Sequence, residues 1–215
     1  MQYVEVKIDS DQLLDETCQK IKSSPAVRQT ISKNAMASGE IDDCIREANQ
    51  ALKKIIAPKA AYIPVSTELT EHGVKLKNGM ILENRNMVRQ YPLKKQTFVY
   101  LVTAGYDTQD AFRELNSDYI VYHFQHLIAK TYIVKYAQQF HIEMQWPFPG
   151  LKFVRYSVLM KGYGHTNGKD YWDPLMVREL ISHFGENSLG VEVTEAGCFS
   201  PLYTLAGITM GISEP

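Results

Sequence analysis

Apolar residues in the first part of the chain recur at three- and four-residue spacing, the period of a helix with one buried face. Leu13, Leu14, Thr17, Cys18 and Ile21 form one such stripe, and Asp9 with Gln12 three positions later resembles a capping box at its start. A second helix is expected over residues 25–33. The third is the most regular: Ile41, Cys44, Ile45, Ala48, Leu52 and Ile55 keep the period until Pro58 closes it. Cys18 and Cys44 fall on these apolar faces and read as small core residues.

From Ala61 the pattern changes. Residues 62–65 read as a short strand. Val74, Leu76, Met80 and Leu82 flank Asn78-Gly79, the dipeptide that best tolerates the positive φ angles of a tight hairpin. A short helix is expected over 84–91, ended by Pro92. Residues 97–103 are apolar on both faces, which predicts a strand covered on both sides. Residues 107–139 read as helical with a break near Asn116-Ser117, Ser117 capping a longer second helix. Tyr119, Ile120, Tyr122, His123, Leu127, Ile128, Tyr132 and Ile133 make so much of its surface apolar that a central position is expected. Residues 144–150, with two prolines and a tryptophan, read as a turn leading to a strand over 152–160. Asp173-Pro174 starts a further helix whose stripe is Met176, Leu180, Ile181 and Phe184, with Gly185 placed to stop it. Strands over 191–194 and 203–212 close the chain.

Helices gathered first, and strands not regularly interleaved with helices afterwards, argue for an α+β fold with a mainly antiparallel sheet and helices packed on it. Residues 1–58 form a helical N-terminal region and 59–215 the α+β core, expected as one continuous globular unit.

Composition bounds the function. The chain has 215 residues, 45% of them hydrophobic and 22% charged, with a formal net charge of −1, so bulk charge provides no attraction to nucleic acid or anionic lipid. Charges near the N-terminus stand where a signal peptide needs an apolar core, and no apolar run approaches the ~18 residues of a membrane helix. Cys18, Cys44 and Cys198 are too few and too scattered for a disulfide framework. These features predict a cytoplasmic protein with neither a nucleic-acid nor a membrane partner.

Nucleotide-binding glycine motifs, a Gly-x-Ser-x-Gly elbow and a His-Glu-x-x-His helix are all missing from the sequence. His123 and His126 have a spacing that zinc can use, but no third ligand is evident nearby, so they read as structural and no metal is expected. The segment 155–165 is more informative. Arg155 leaves the end of an apolar strand, and Gly162-Tyr163-Gly164 forms a turn whose glycines admit a ligand close to the backbone. A guanidinium beside such a turn is suited to a carboxylate; the alternative is a plain surface turn with a solvated arginine.

The chain after that turn carries an ordered series: Trp172-Asp173-Pro174-Leu175, Phe184-Gly185, then Gly190-Val191-Glu192-Val193-Thr194-Glu195 with Pro201, and Thr204-Leu205-Ala206-Gly207. From about Ala60 to the C-terminus this resembles the reactivation domain of cobalamin-dependent methionine synthase, in particular the short stand-alone proteins similar to that domain. The resemblance implies S-adenosylmethionine as cosubstrate, with cobalamin carried by a partner methyltransferase and electrons from an external reductant such as flavodoxin. It implies a place in methionine biosynthesis as a component of a methyltransferase system rather than as a complete enzyme. Carried over to this chain, Arg155 would hold the ligand's carboxylate. Gly162, Tyr163 and Gly164 would line the adenosyl moiety, and Glu195 would be structural or face the corrinoid. Six residues separate Arg155 from Gly162, a longer spacing than the family's Arg-x-x-x-Gly-Tyr, and Thr209 stands where the full-length enzymes carry a ribose-contacting tyrosine. Two other readings stand beside this one: a non-catalytic module that docks on a corrinoid protein without the ligand site, and a small methyltransferase with an unrelated acceptor.

Overall fold

A computed structural model describes residues 2–25, 27, 38–106, 119–157, 174–185, 188–195 and 198–213. The expected helix at 25–33, the 107–118 stretch with its Ser117 cap, and the 158–173 segment lie wholly or largely outside these residues.

Helix α1 spans Ser10–Lys22, and all five residues of its apolar stripe are buried. Its cap is half of a capping box. The Asp9 carboxylate accepts from the backbone N–H groups of Asp11 and Gln12 at 2.8 and 3.1 Å, while the Gln12 amide turns forward to Glu16. Helix α2, Ser38–Ile55, buries Ile41, Ile45, Ala48 and Leu52 and leaves Cys44 half-buried.

Five strands build the main sheet: β1 (Gln2–Tyr3), β2 (Lys59–Val65), β6 (Lys94–Thr103), β7 (Leu151–Ser157) and β10 (Thr204–Ser213), in the order β1-β2-β6-β10-β7. Every neighbouring pair is antiparallel. Residues 97–103 of β6 are buried without interruption, as a strand covered on both faces requires. A smaller sheet of β3 (Thr67–Leu69), β4 (Gly73–Leu76) and β5 (Ile81–Glu83) contains the Asn78-Gly79 turn, with Gly79 at φ +92° and the Asn78 side chain accepting from the Met80 N–H. Helix α3 (Arg85–Gln90) is capped by Asn84 and ends at Gln90, as expected just ahead of Pro92, which sits inside a 3₁₀ turn over Tyr91–Leu93. Helix α5 (Pro174–Ser182) and the two-residue strands β8 (Glu192–Val193) and β9 (Phe199–Ser200) complete the described elements.

Helix α4, Tyr119–Gln145, runs past the expected end near Gln139 because Phe140, His141 and Met144 continue its buried stripe. It lies between α1 and α2 on one side and the sheet on the other, which explains an apolar surface with no single preferred face. Its first turns depart from expectation: Val121 and Phe124 point inward, whereas Tyr119 is 79% exposed and Tyr122 and His123 face outward.

Two apolar cores result. On one face of the main sheet, Tyr62, Phe98, Tyr100 and Val102 meet α1, α2 and α4. On the other, Ala61, Ile63, Val99, Leu101, Ile208 and Met210 meet the small sheet, α3, α5 and the β8–β9 hairpin. The alternation along each strand assigns its residues to one core or the other.

Candidate functional site

Strand β7 is an edge of the main sheet and carries Arg155 directly opposite Thr209 of β10. Cross-strand partners share a face. Thr209 reaches into the helical layer, where its hydroxyl lies 3.1 Å from His141 Nε2, so Arg155 projects on that side too. Its neighbours Val154 and Tyr156 belong to the opposite core. The Arg155 side chain is exposed, and among the described residues it has neither an ion-pair nor a hydrogen-bond partner.

His141 lies behind this position. Its Nδ1 is 2.6 Å from the Ala137 carbonyl, and its ring meets Tyr100 edge-on at 4.6 Å. A carbonyl only accepts, so Nδ1 carries the proton and Nε2 accepts from Thr209. Burial pushes the His141 pKa down to about 4; the Ala137 bond opposes this, and the positive charge of Arg155 adds to it. Arg155 is therefore near enough to act electrostatically on an imidazole held neutral.

Thr209 is wholly buried. Its side chain is committed to the interior. Glu195 is exposed at the tip of the β8–β9 hairpin, in the layer opposite the Arg155 side chain. That tip is held by the Thr194 N–H on the Cys198 carbonyl at 2.8 Å and the Cys198 N–H on the Thr194 hydroxyl at 3.1 Å. Arg178 of α5 donates to the Thr194 carbonyl at 3.0 Å. Gly162, Tyr163 and Gly164 lie outside the described residues. Of the five residues singled out from the sequence, the described structure therefore positions Arg155 and Glu195, in different layers.

His126 uses Nδ1 to hydrogen-bond the Tyr203 hydroxyl at 2.7 Å, and His123 is exposed. Among the described residues no group of three His, Cys, Asp or Glu side chains could hold a metal ion, and no helix is long and apolar enough to cross a membrane. Sequence patterns did not single out His141 or Arg178. The available signal for the first was a histidine on the apolar stripe of Ala137, Phe140 and Met144; an exposed arginine such as the second carries none.

No protein-family model matches the chain, and no curated protein matches it either.

Proposed function

We propose that this chain is an S-adenosylmethionine-binding accessory protein for the reductive reactivation of a cobalamin-dependent methionine synthase or a similar corrinoid methyltransferase. The observation that carries the reading is Arg155: a guanidinium on an edge strand, exposed and unpaired among the described residues, with six residues between it and the Gly-Tyr-Gly segment. An arginine in this state has its planar fork available for the two parallel hydrogen bonds that a carboxylate accepts. In such a system S-adenosylmethionine supplies the methyl group and the partner supplies the corrinoid. The part left to this chain is to bind and orient: Arg155 takes the amino-acid carboxylate, Gly162 and Gly164 let the ligand approach the backbone, and the Tyr163 ring faces the adenosyl and sulfonium end. Glu195, on the other layer, would then serve the hairpin or a partner surface rather than this ligand.

Isothermal titration tests the reading. Heat is expected with S-adenosylmethionine at sub-millimolar concentration, with binding weakened at least tenfold in Arg155→Ala and reduced in Tyr163→Ala. Absence of heat above background at millimolar ligand overturns it.

One observation favours the second reading, a docking module without the ligand site. Thr209 is buried against His141 and has no surface to offer a ribose. A pull-down with a cobalamin-carrying methyltransferase that succeeds equally with and without S-adenosylmethionine, joined to a silent titration, selects this alternative.

A further inference from the structure

A cleft of about 450 Å³ opens where three distant stretches of the chain meet. These are Pro64, Val65 and Ser66 at the end of β2, Lys77 and Asn78 in the turn between β4 and β5, and His183 just past α5. The cleft lies in the layer of the small sheet and α5, whereas the Arg155 side chain projects into the helical layer on the other face of the main sheet. Its walls bring together one ammonium and three further hydrogen-bonding side chains, and they include no carboxylate.

Each of these polar groups has bonding capacity left. The Asn78 side-chain oxygen accepts from the Met80 N–H at 3.2 Å, which leaves the amide nitrogen as a donor. Nδ1 of His183 is 3.0 Å from the Glu179 carbonyl; a carbonyl only accepts, so Nδ1 carries a proton and Nε2 is the nitrogen left for a ligand. Lys77, the Ser66 hydroxyl, the Asn78 amide nitrogen and His183 Nε2 have neither a hydrogen-bond nor an ion-pair partner among the described residues. The carbonyls at the end of α5, which would repel an anion, are occupied. The Ser182 hydroxyl at 2.6 Å and His183 Nδ1 take that of Glu179, and the N–H groups of His183 and Phe184 take those of Leu180 and Ile181.

We propose that this cleft binds the phosphoryl group of a small phosphomonoester. Lys77 supplies the charge, and Asn78 and Ser66 donate to phosphoryl oxygens. His183 selects phosphoryl over carboxylate. With a second pKa of about 6, a phosphomonoester near neutral pH is partly protonated, and its O–H can donate to a neutral Nε2. A carboxylate has acceptors alone and leaves a neutral Nε2 without a partner. Pro64 and Val65 give the rest of the ester an apolar flank. The volume falls within the ~300–1,000 Å³ usual for small-molecule sites. Because the cleft and Arg155 lie on opposite faces of the sheet, either site can fail alone.

Phenyl phosphate is a suitable probe, titrated into the full chain at constant ionic strength and followed by proton–nitrogen correlation spectra. The backbone amides of Ser66 and Asn78, the Asn78 side-chain amide and the His183 ring should shift together and saturate in the millimolar range. Lys77→Gln should weaken binding about fivefold or more, the loss of one charge-assisted contact. Benzoate should bind more weakly than phenyl phosphate, and His183→Ala should shrink that preference. Inorganic phosphate, which has no body to lie on Pro64 and Val65, should also bind more weakly. The proposal is overturned if these signals do not saturate, if chloride at the same ionic strength moves them equally, or if Lys77→Gln binds as the unaltered chain does. Benzoate or inorganic phosphate matching phenyl phosphate overturns it as well. Should a variant not fold, the comparison of the three anions on the unaltered chain decides the question.

Discussion

The Thr209 hydroxyl donates to Nε2 of His141 across 3.1 Å, joining a fully buried strand residue to the last third of helix α4. The bond fixes the imidazole tautomer, because the other ring nitrogen already gives its proton to the Ala137 carbonyl. Both nitrogens are satisfied only while the ring is neutral. A second proton would convert the acceptor into a donor facing a hydroxyl, in an interior where Arg155 already adds positive charge.

Acid sensitivity is expected from this pair. His141 has a folded pKa of about 4, below its ordinary value near 6.5, so the unfolded chain binds a proton over that interval and the folded chain does not. Stability contributed by the neutral imidazole is complete above ~6.5 and is lost as pH falls toward 4, by up to about 3 kcal/mol. Urea midpoints measured across this range should fall with pH, and His141→Leu should flatten that slope while lowering stability at neutral pH. An equal slope in the variant would assign the acid sensitivity to other groups.

Gly207 should not tolerate a side chain. A Cβ there would sit 2.7 Å from the Tyr100 hydroxyl and closer still to the Tyr156 carbonyl, which belongs to the rigid ladder between β7 and β10. Gly207→Ala is expected to cost ~2–3 kcal/mol through overpacking, read as a fall in thermal midpoint, because the carbonyl cannot swing away. Gly79→Ala, which meets nothing within 4 Å, should cost less and act only through its φ of +92°.

The three thiols should react in a fixed order. Cys198 is exposed beside the hairpin tip, Cys44 is half-buried and Cys18 is buried with its thiol pushed up to about 11, chiefly by desolvation. At about pH 8 only ~1 in 1,000 Cys18 groups is thiolate even before access is considered. Labelling followed by mass spectrometry should find Cys198 modified first, and Cys18 only at the rate of unfolding. Fast native-state labelling of Cys18 would contradict its burial.

Arg178 should matter locally rather than globally. It is exposed, and its guanidinium donates to the Thr194 carbonyl at 3.0 Å, so Arg178→Ala should change global stability by less than ~1 kcal/mol. Amide exchange at Thr194 and Cys198, whose N–H groups close the hairpin, should nevertheless speed up severalfold. Unchanged exchange at both amides would show that the hairpin holds itself.

Much of this fold is written in local periodicity. The stripe of α1 with its Asp9 cap, the stripe of α2, the Asn78-Gly79 hairpin and the doubly covered strand β6 all rest on interactions within a few residues, or on a burial pattern that one segment displays by itself. The sequence also marked Arg155 and Glu195 as polar residues in suggestive surroundings. Other features need partners far along the chain. Strand β1 exists because Gln2 and Tyr3 pair with Tyr62 and Ala61, and two residues carry no periodicity to read. In α4, burial on both sides erases the helical stripe, so Tyr119 and Tyr122 looked like Val121 and Phe124 until neighbouring elements chose among them. The bond between Thr209 and His141 spans 68 residues, and the strand order that places Arg155 at an edge and Glu195 in another layer is equally non-local. Periodicity records which face of a segment avoids water; which other segment covers that face is settled only when distant parts of the chain compete for it.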